Sequence, residues 1–323
     1  MLRKLMAASL AVTLTAAPLK AADEINFGVI STETTTNLKT IWEPFLADMG
    51  KRTGLSVKGF YASDYAGVIE AMRFNKVQVA WFGNKSAMEA VDRANGEIFA
   101  QSADKDGNPG YWSYIIVHKD SPFQKIDDIL KCDGTLDFGI GDPNSTSGFL
   151  VPTTFIFSAR NIEPKKCFKT VRNANHEANA LAVANKLVHA ASNNNENLER
   201  LKKTAPDKVK EIRIIWTSPL IPSDPLVWRK DLDPGLKKKI SDFIFSYGTK
   251  DESEKQVLAG LQWAPFRKSS NEQLLPIRQM EVNKALARLK ADASMSEDEK
   301  RAQVVELERQ FEDLGNRIAA MKK

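Results

Sequence analysis

Along the chain, short apolar runs alternate with stretches whose apolar residues recur at helical spacing. The run from Ile25 to Ile30 reads as a buried strand. The next stretch places Leu38, Ile41, Phe45, Leu46 and Met49 on one face of a helix that stops at Gly50. A strand over 55–61, a helix over 65–74, a strand over 77–82, a helix over 84–93 and a strand over 98–101 come next. That alternation predicts a parallel sheet in an α/β unit.

The β-rich run from Tyr111 to Val117 then suits a strand that leaves the first unit for a second. There, strands over 136–140, 168–173, 188–192 and 212–216 alternate with helices over 148–160 and 178–186. The segment 225–230 reads as the return crossing, and the remainder of the chain reads as helical. The expected organisation is α/β, with two lobes joined by two crossing strands. The first lobe takes 22–112 plus 229–323 with the C-terminal helices, and the second takes 113–228. A cleft between two such lobes is a common place for a ligand.

The length of 323 residues fits two lobes of ordinary size, and 42% hydrophobic residues supply their cores. The net charge of +5 is small and its charges are interleaved without a basic stripe, which argues against nucleic-acid binding. Arg3 and Lys4, an apolar run to Leu14, and small residues leading to Ala21 form the pattern of a secretory leader over 1–21, which places the mature chain in the periplasm. In an oxidising compartment Cys132 and Cys167 can close a disulfide, although two free thiols fit the sequence as well. Near the C-terminus, Ser296 and Glu299 form a capping box. Val304, Leu307, Phe311, Leu314, Ile318 and Met321 then show coiled-coil spacing. Such a helix either packs on its own chain or makes a homodimer contact.

The strongest candidate site is Ser145-Thr146-Ser147, inside a Gly141–Gly148 turn between a strand and a helix. Three hydroxyls and free backbone N–H groups at a helix N-terminus suit an anion, whereas plain N-capping needs one hydroxyl. His176 opens another predicted helix, and Tyr65 and Tyr111 stand where a cleft wall is expected. Glu196, in a polar tract after a strand, and Asp224, beside the return crossing, are candidate carboxylates for the same cleft. A nucleophile elbow, a phosphate loop and a metal motif are all missing, which argues against an enzyme and calls for no cofactor and no metal.

At these residues the chain resembles the periplasmic phosphonate-binding proteins of ABC importers. The segments that carry the likeness include 64–67, 72–77, 86–96, 109–113, 141–152, 179–186, 218–222 and 263–266. The resemblance implies the type II periplasmic binding protein fold, no catalysis, and delivery of ligand to a permease in the inner membrane. It implies that Ser145, Thr146 and Ser147, with Tyr65, Tyr111 and His176, hold phosphonate oxygens, an imidazolium at His176 being one way to do so. It also implies that Glu196 and Asp224 receive the ammonium of a ligand such as 2-aminoethylphosphonate. Phe82 and His189 depart from the family pattern, and the cysteine pair is not a family hallmark.

Overall fold

The computed structural model describes residues 23–108, 110–292 and 294–321, so the leader expected over 1–21 lies outside the described residues. The first unit runs β1 (Glu24–Val29), α1 (Thr35–Thr53), β2 (Ser56–Tyr61), α2 (Tyr65–Arg73), β3 (Val79–Trp81), α3 (Asn84–Arg93) and β4 (Gly96–Asp104). β1 pairs in parallel with both β2 and β3, as the alternating pattern requires. Ile25, Phe27 and Val29 of β1 pack under Leu38, Trp42, Phe45, Leu46 and Met49 of α1, all buried. The helix passes Gly50 and ends at Gly54, whose φ of 70° and N–H bond to the Gly50 carbonyl make it the stop. Gly50, expected as the end, is ordinary helix.

The chain crosses through β5 (Gly110–Tyr111) into β6 (Ser113–His118), β7 (Asp137–Ile140), the short α4 (Pro164–Cys167), β8 (Thr170–Asn173) and α5 (His176–Ala184). β9 (Ala190–Asn194), α6 (Asn195–Thr204), α7 (Pro206–Val209) and β10 (Ile212–Thr217) complete the second unit. Its five-stranded sheet has the order β10-β6-β9-β7-β8. Ile115, Val117, Phe138 and Phe157 pack on one face, and Ile116, Ala180, Val183 and Leu201 on the other. The helix expected over 148–160 is instead a succession of wide π-helical turns at Thr146–Leu150 and Thr153–Phe157 and a 3-10 turn. Pro152 lies between the two π segments and has no N–H to continue an α-helical ladder. Cys132 and Cys167 of this lobe form a disulfide with an S–S distance of 2.03 Å.

The return passes through β11 (Ile221–Pro222), which pairs antiparallel with β5, and then β12 (Pro225–Arg229). β12 is not the crossing itself: it pairs with β3 and β4 inside the first sheet. Leu226 and Val227 are fully buried between β3 and β4, so the segment is a core strand of the first sheet and the crossing lies before it at β11. At the crossing the strands approach so closely that a Cβ on Gly110 would collide with the Ile221 carbonyl. After α8 (Pro234–Ser246) and α9 (Glu252–Gly260), a further strand β13 (Trp263–Lys268) interrupts the expected helical region. β13 is an edge strand whose pairing with β4 is irregular between Ala264 and Arg267, so the missing N–H of Pro265 is tolerated there. The first sheet thus has the order β13-β4-β12-β3-β1-β2.

The chain ends in an antiparallel pair, α10 (Leu275–Ala291) and α11 (Glu297–Ala320). Leu286, Leu289 and Leu314 are buried between or beside these helices, whereas Val305, Phe311 and Met321 are exposed. Among the described residues no helix is long and apolar enough to cross a membrane. The architecture is the two-lobed α/β fold of type II periplasmic binding proteins.

Candidate functional site

The sheet of the second lobe aims β7 at the turn that carries the three hydroxyls. Ser145 is the cap of the helical turn after it, its Oγ accepting from the Gly148 N–H at 3.0 Å. Thr146 Oγ1 accepts from the Lys85 N–H of the first lobe at 2.9 Å. Ser147 Oγ accepts from Asn194 Nδ2 at 3.0 Å. One hydroxyl therefore serves as the cap and two remain for other partners, which is how the cluster departs from simple capping. The turn is held from behind by Ser113 Oγ on the Ser147 carbonyl (2.6 Å) and Ser192 Oγ on the Gly148 carbonyl (2.6 Å).

Helix N-termini from both lobes meet here. α5 begins at His176, with Asn175 capping the Ala178 N–H at 2.8 Å. α2 begins at Tyr65, and α3 begins behind Gly83, which supplies no side-chain cap of its own. The ends of helices carry unsatisfied donors and a positive field, so this junction favours an anion. All eight residues picked from the sequence, Tyr65, Tyr111, Ser145, Thr146, Ser147, His176, Glu196 and Asp224, line one cavity between the lobes. Glu196 lies in the first turn of α6 rather than in a loop, and Tyr111 lies in the crossing strand β5.

The electrostatics of the cavity divide it in two. His176 is buried, and burial, reinforced by the Arg200 charge, pushes its imidazole down to about 3. The ring is therefore neutral at physiological pH in this arrangement, which corrects the expectation of an imidazolium: low polarity and a nearby guanidinium both oppose a second positive charge. Its Nε2 lies 3.4 Å from both Ser145 Oγ and Ser147 Oγ, while Nδ1 has no partner. A hydrolytic serine–histidine pair needs a basic imidazole oriented by a third group. This one has neither property.

In the same cavity, burial raises the Asp224 carboxyl well above its ordinary range, and the Glu196 charge raises it further. Burial likewise raises Glu196, against the pull of Arg200 and of the Trp263 indole, which donates to Glu196 Oε1 at 3.4 Å. The Tyr111 hydroxyl is raised well above its usual value by burial and then by Asp224 and Glu196. Arg200, also buried, is bonded to Glu33 through its Nε. Burial disfavours its charge, but Glu33 and Glu196 together outweigh that and hold the guanidinium protonated. Three buried carboxylates, Glu33, Glu196 and Asp224, thus share one buried guanidinium.

Sequence reasoning missed Thr32, Trp81, Asn194 and Arg200, which also line the cavity. Arg200 could have been found from its spacing, since it stands four residues after Glu196 and so on the same helix face. Asn194 ends β9, whose polar residues Ser192, Asn193 and Asn194 are all buried, a placement that hydrophobic patterning cannot anticipate. Four of the eight buried side-chain atoms without a hydrogen-bond partner among the described residues line this cavity: Thr32 Oγ1, Trp81 Nε1, His176 Nδ1 and Asp224 Oδ1. Buried polar atoms are satisfied almost everywhere in folded proteins, so their convergence marks a polar binding site.

The other histidines lie elsewhere. His118 ends β6 and approaches Asp120 and Glu211, with their ligand-type atoms within 4.8 Å of one another. Its Nδ1 accepts from the Asp120 N–H at 3.1 Å and its Nε2 lies 3.3 Å from Glu211 Oε2, so the ring is already engaged at both nitrogens. His189 is outside the cavity, accepting from the Asp137 N–H at 2.9 Å.

The family model for the periplasmic substrate-binding protein of phosphonate ABC transporters matches residues 27–274. The chain belongs to this family. It is 54% identical over 300 residues to the phosphonates-binding periplasmic protein of Escherichia coli strain K12, with 92% of this chain and 88% of that relative covered. A crystal structure of a binding protein component of a phosphonate ABC transporter from Pseudomonas aeruginosa matches with a TM-score of 0.91 and 51% identity, over 94% of this chain and 100% of that one. A Prochlorococcus marinus protein solved in complex with methylphosphonate shares the fold at 23% identity and a TM-score of 0.72, over 81% of this chain and 99% of that one. As a phosphonate-binding protein of this family, the chain is the periplasmic ligand-binding component of an ABC transporter and not an enzyme.

Proposed function

We propose that this phosphonate-binding protein takes a zwitterionic aminoalkylphosphonate of the 2-aminoethylphosphonate class, held at one end by Ser145, Thr146, Ser147, His176, Tyr65 and Tyr111 and at the other by Glu196 and Asp224. One observation carries the reading: Asp224 is buried with Oδ1 unpartnered, beside a second buried carboxylate and too little positive charge for both. A buried carboxylate is stable only when paired or protonated, and a ligand ammonium supplies the pair. At the other end, neutral hydroxyls and helix-end amides supply donors suited to a phosphonate. Lobe contacts made around the ligand favour the closed arrangement, which the permease in the inner membrane reads.

A second reading is a smaller anion. Relatives 28% and 25% identical to this chain are named a phosphate-import protein and a probable phosphite-binding protein. Titration calorimetry with 2-aminoethylphosphonate, methylphosphonate, phosphite and phosphate separates the two. The aminophosphonate is expected to bind most tightly, and preference for phosphite or phosphate would overturn the assignment. Three further features belong to the same proposal. Residues 1–21 act as the export leader, which N-terminal sequencing of the exported chain would check. A rigid-body comparison of free and bound forms would check a lobe division at 22–112 plus 229–323 against 113–228, except that β12, which pairs inside the first sheet, should move with the first lobe. The exposed side of α11, with Phe311 and Met321, forms a homodimer contact that sedimentation equilibrium would reveal.

A further inference from the structure

Three helices of the first lobe, α1, α2 and α3, turn their N-termini toward the second lobe, and each receives an oxygen acceptor from it. Thr146 Oγ1 takes the Lys85 N–H at 2.9 Å, Asp142 Oδ2 takes the Tyr65 N–H at 3.3 Å, and Glu177 Oε2 takes the Thr34 N–H at 2.7 Å. Thr146 lines the cavity and Asp142 stands in the same turn, so both move with the ligand site. Glu177 is different. It does not line the cavity, yet it is buried and both its oxygens are used, the second by Asn37 Nδ2 at 2.5 Å. Its own N–H reaches the Thr32 carbonyl at 3.4 Å. These partners lie in the other lobe, so the bonds exist only while the lobes are together. α1 has no acidic residue of its own in its first turn, so Glu177 supplies the only carboxylate bonded at that helix end among the described residues.

We propose that Glu177 is a closure residue, setting ligand affinity and release rate by capping α1 from the opposite lobe without touching the ligand. A contact made only in the closed arrangement shifts the open–closed balance for every ligand alike. Glu177 also stands directly after His176 at the start of α5, so the capping contact fixes the helix end that presents the imidazole to the cavity. The inference concerns closure and does not depend on which phosphonate is bound.

The test compares Glu177→Gln and Asn37→Ala with the parent protein, using calorimetry and stopped-flow dissociation with both 2-aminoethylphosphonate and methylphosphonate. A charge-assisted cap of this kind predicts that Glu177→Gln weakens both ligands by the same factor, roughly tenfold, with faster dissociation. Asn37→Ala removes the partner from the other lobe and is expected to move both ligands in the same direction by less. It also keeps the test intact if the Glu177 variant folds poorly. Small-angle scattering is expected to show a larger radius of gyration for ligand-free Glu177→Gln and an unchanged one when saturated. Unchanged affinity in both variants, or unequal losses for the two ligands, would overturn the proposal. Failure of the aminophosphonate assignment would instead appear as a changed ligand preference in the parent protein.

Discussion

Replacing Glu196 by Gln together with Asp224 by Asn keeps the shape of the cavity and removes the two charges that face the proposed ammonium. A cation about 4 Å from a carboxylate in a site of intermediate polarity gains about 4 kcal/mol. Part of that is offset before binding. Burial raises both carboxyls, Asp224 most clearly, which reduces what pairing them with a cation gains. A net loss of roughly 2–4 kcal/mol for the aminophosphonate corresponds to about 30- to 1,000-fold in affinity. Methylphosphonate has no ammonium and is expected to bind the variant as well as the parent protein, or better, because two charges that repel an anion are gone. Calorimetry at neutral pH measures both affinities. The raised values also set the pH dependence. Groups with raised carboxyl values hold their proton until the pH climbs through those values, so aminophosphonate affinity should increase with pH over that range and methylphosphonate affinity should not. Equal losses for the two ligands would refute the reasoning.

Two further outcomes can be checked. With the lobes together His176 is held down to about 3 against an ordinary value of 6.5, so its contribution to the stability of that arrangement is complete above 6.5 and is lost as the pH falls toward 3. NMR titration should find the ring neutral at pH 5 in the closed arrangement, and a ring titrating near 6.5 there would contradict its buried placement. Replacing Cys132 and Cys167 by Ser opens a loop with a sequence separation of 35, which loop entropy values at about 4 kcal/mol. Calorimetric unfolding should shift down by several degrees with ligand affinity unchanged, and an unshifted transition would count against a stabilising role.

Much of the fold is legible because its signals are local. β1 and α1 are read from the alternating and helical spacing of residues that end in one core, and the Ser145–Ser147 turn from three hydroxyls between a strand and a helix. The elements that escaped have a common physical reason: the partner that stabilises each is remote in sequence. β13 looks unsuited to a sheet because of Pro265 until its place at the edge is known. β9 is read as a strand over 188–192, but its continuation to Asn194 and the burial of its polar residues show only once Asn193 Nδ2 is seen on the His176 carbonyl at 2.8 Å and Ser192 on the Gly148 carbonyl. Arg200 looks like a solvated charge on an amphipathic helix until Glu33, 167 positions away, is placed beside it. Glu177 belongs to the same class, since its value lies in the N-terminus of α1.

The crossing ribbon gives Tyr111 a position unlike that of every other cavity residue. It pairs with Ile221 in a two-stranded ladder that belongs to neither large sheet. When the lobes swing, points far from a pivot travel and points on it stay. A contact at the axle has the same strength in the open and closed forms and therefore cannot favour either. Tyr111 can retain a ligand that has just arrived, while the drive to shut must come from groups at the end of a long lever arm. With the ribbon as the proposed hinge, capture at Tyr111 and closure through Glu177 would be separable, and variants of the two should change different rates.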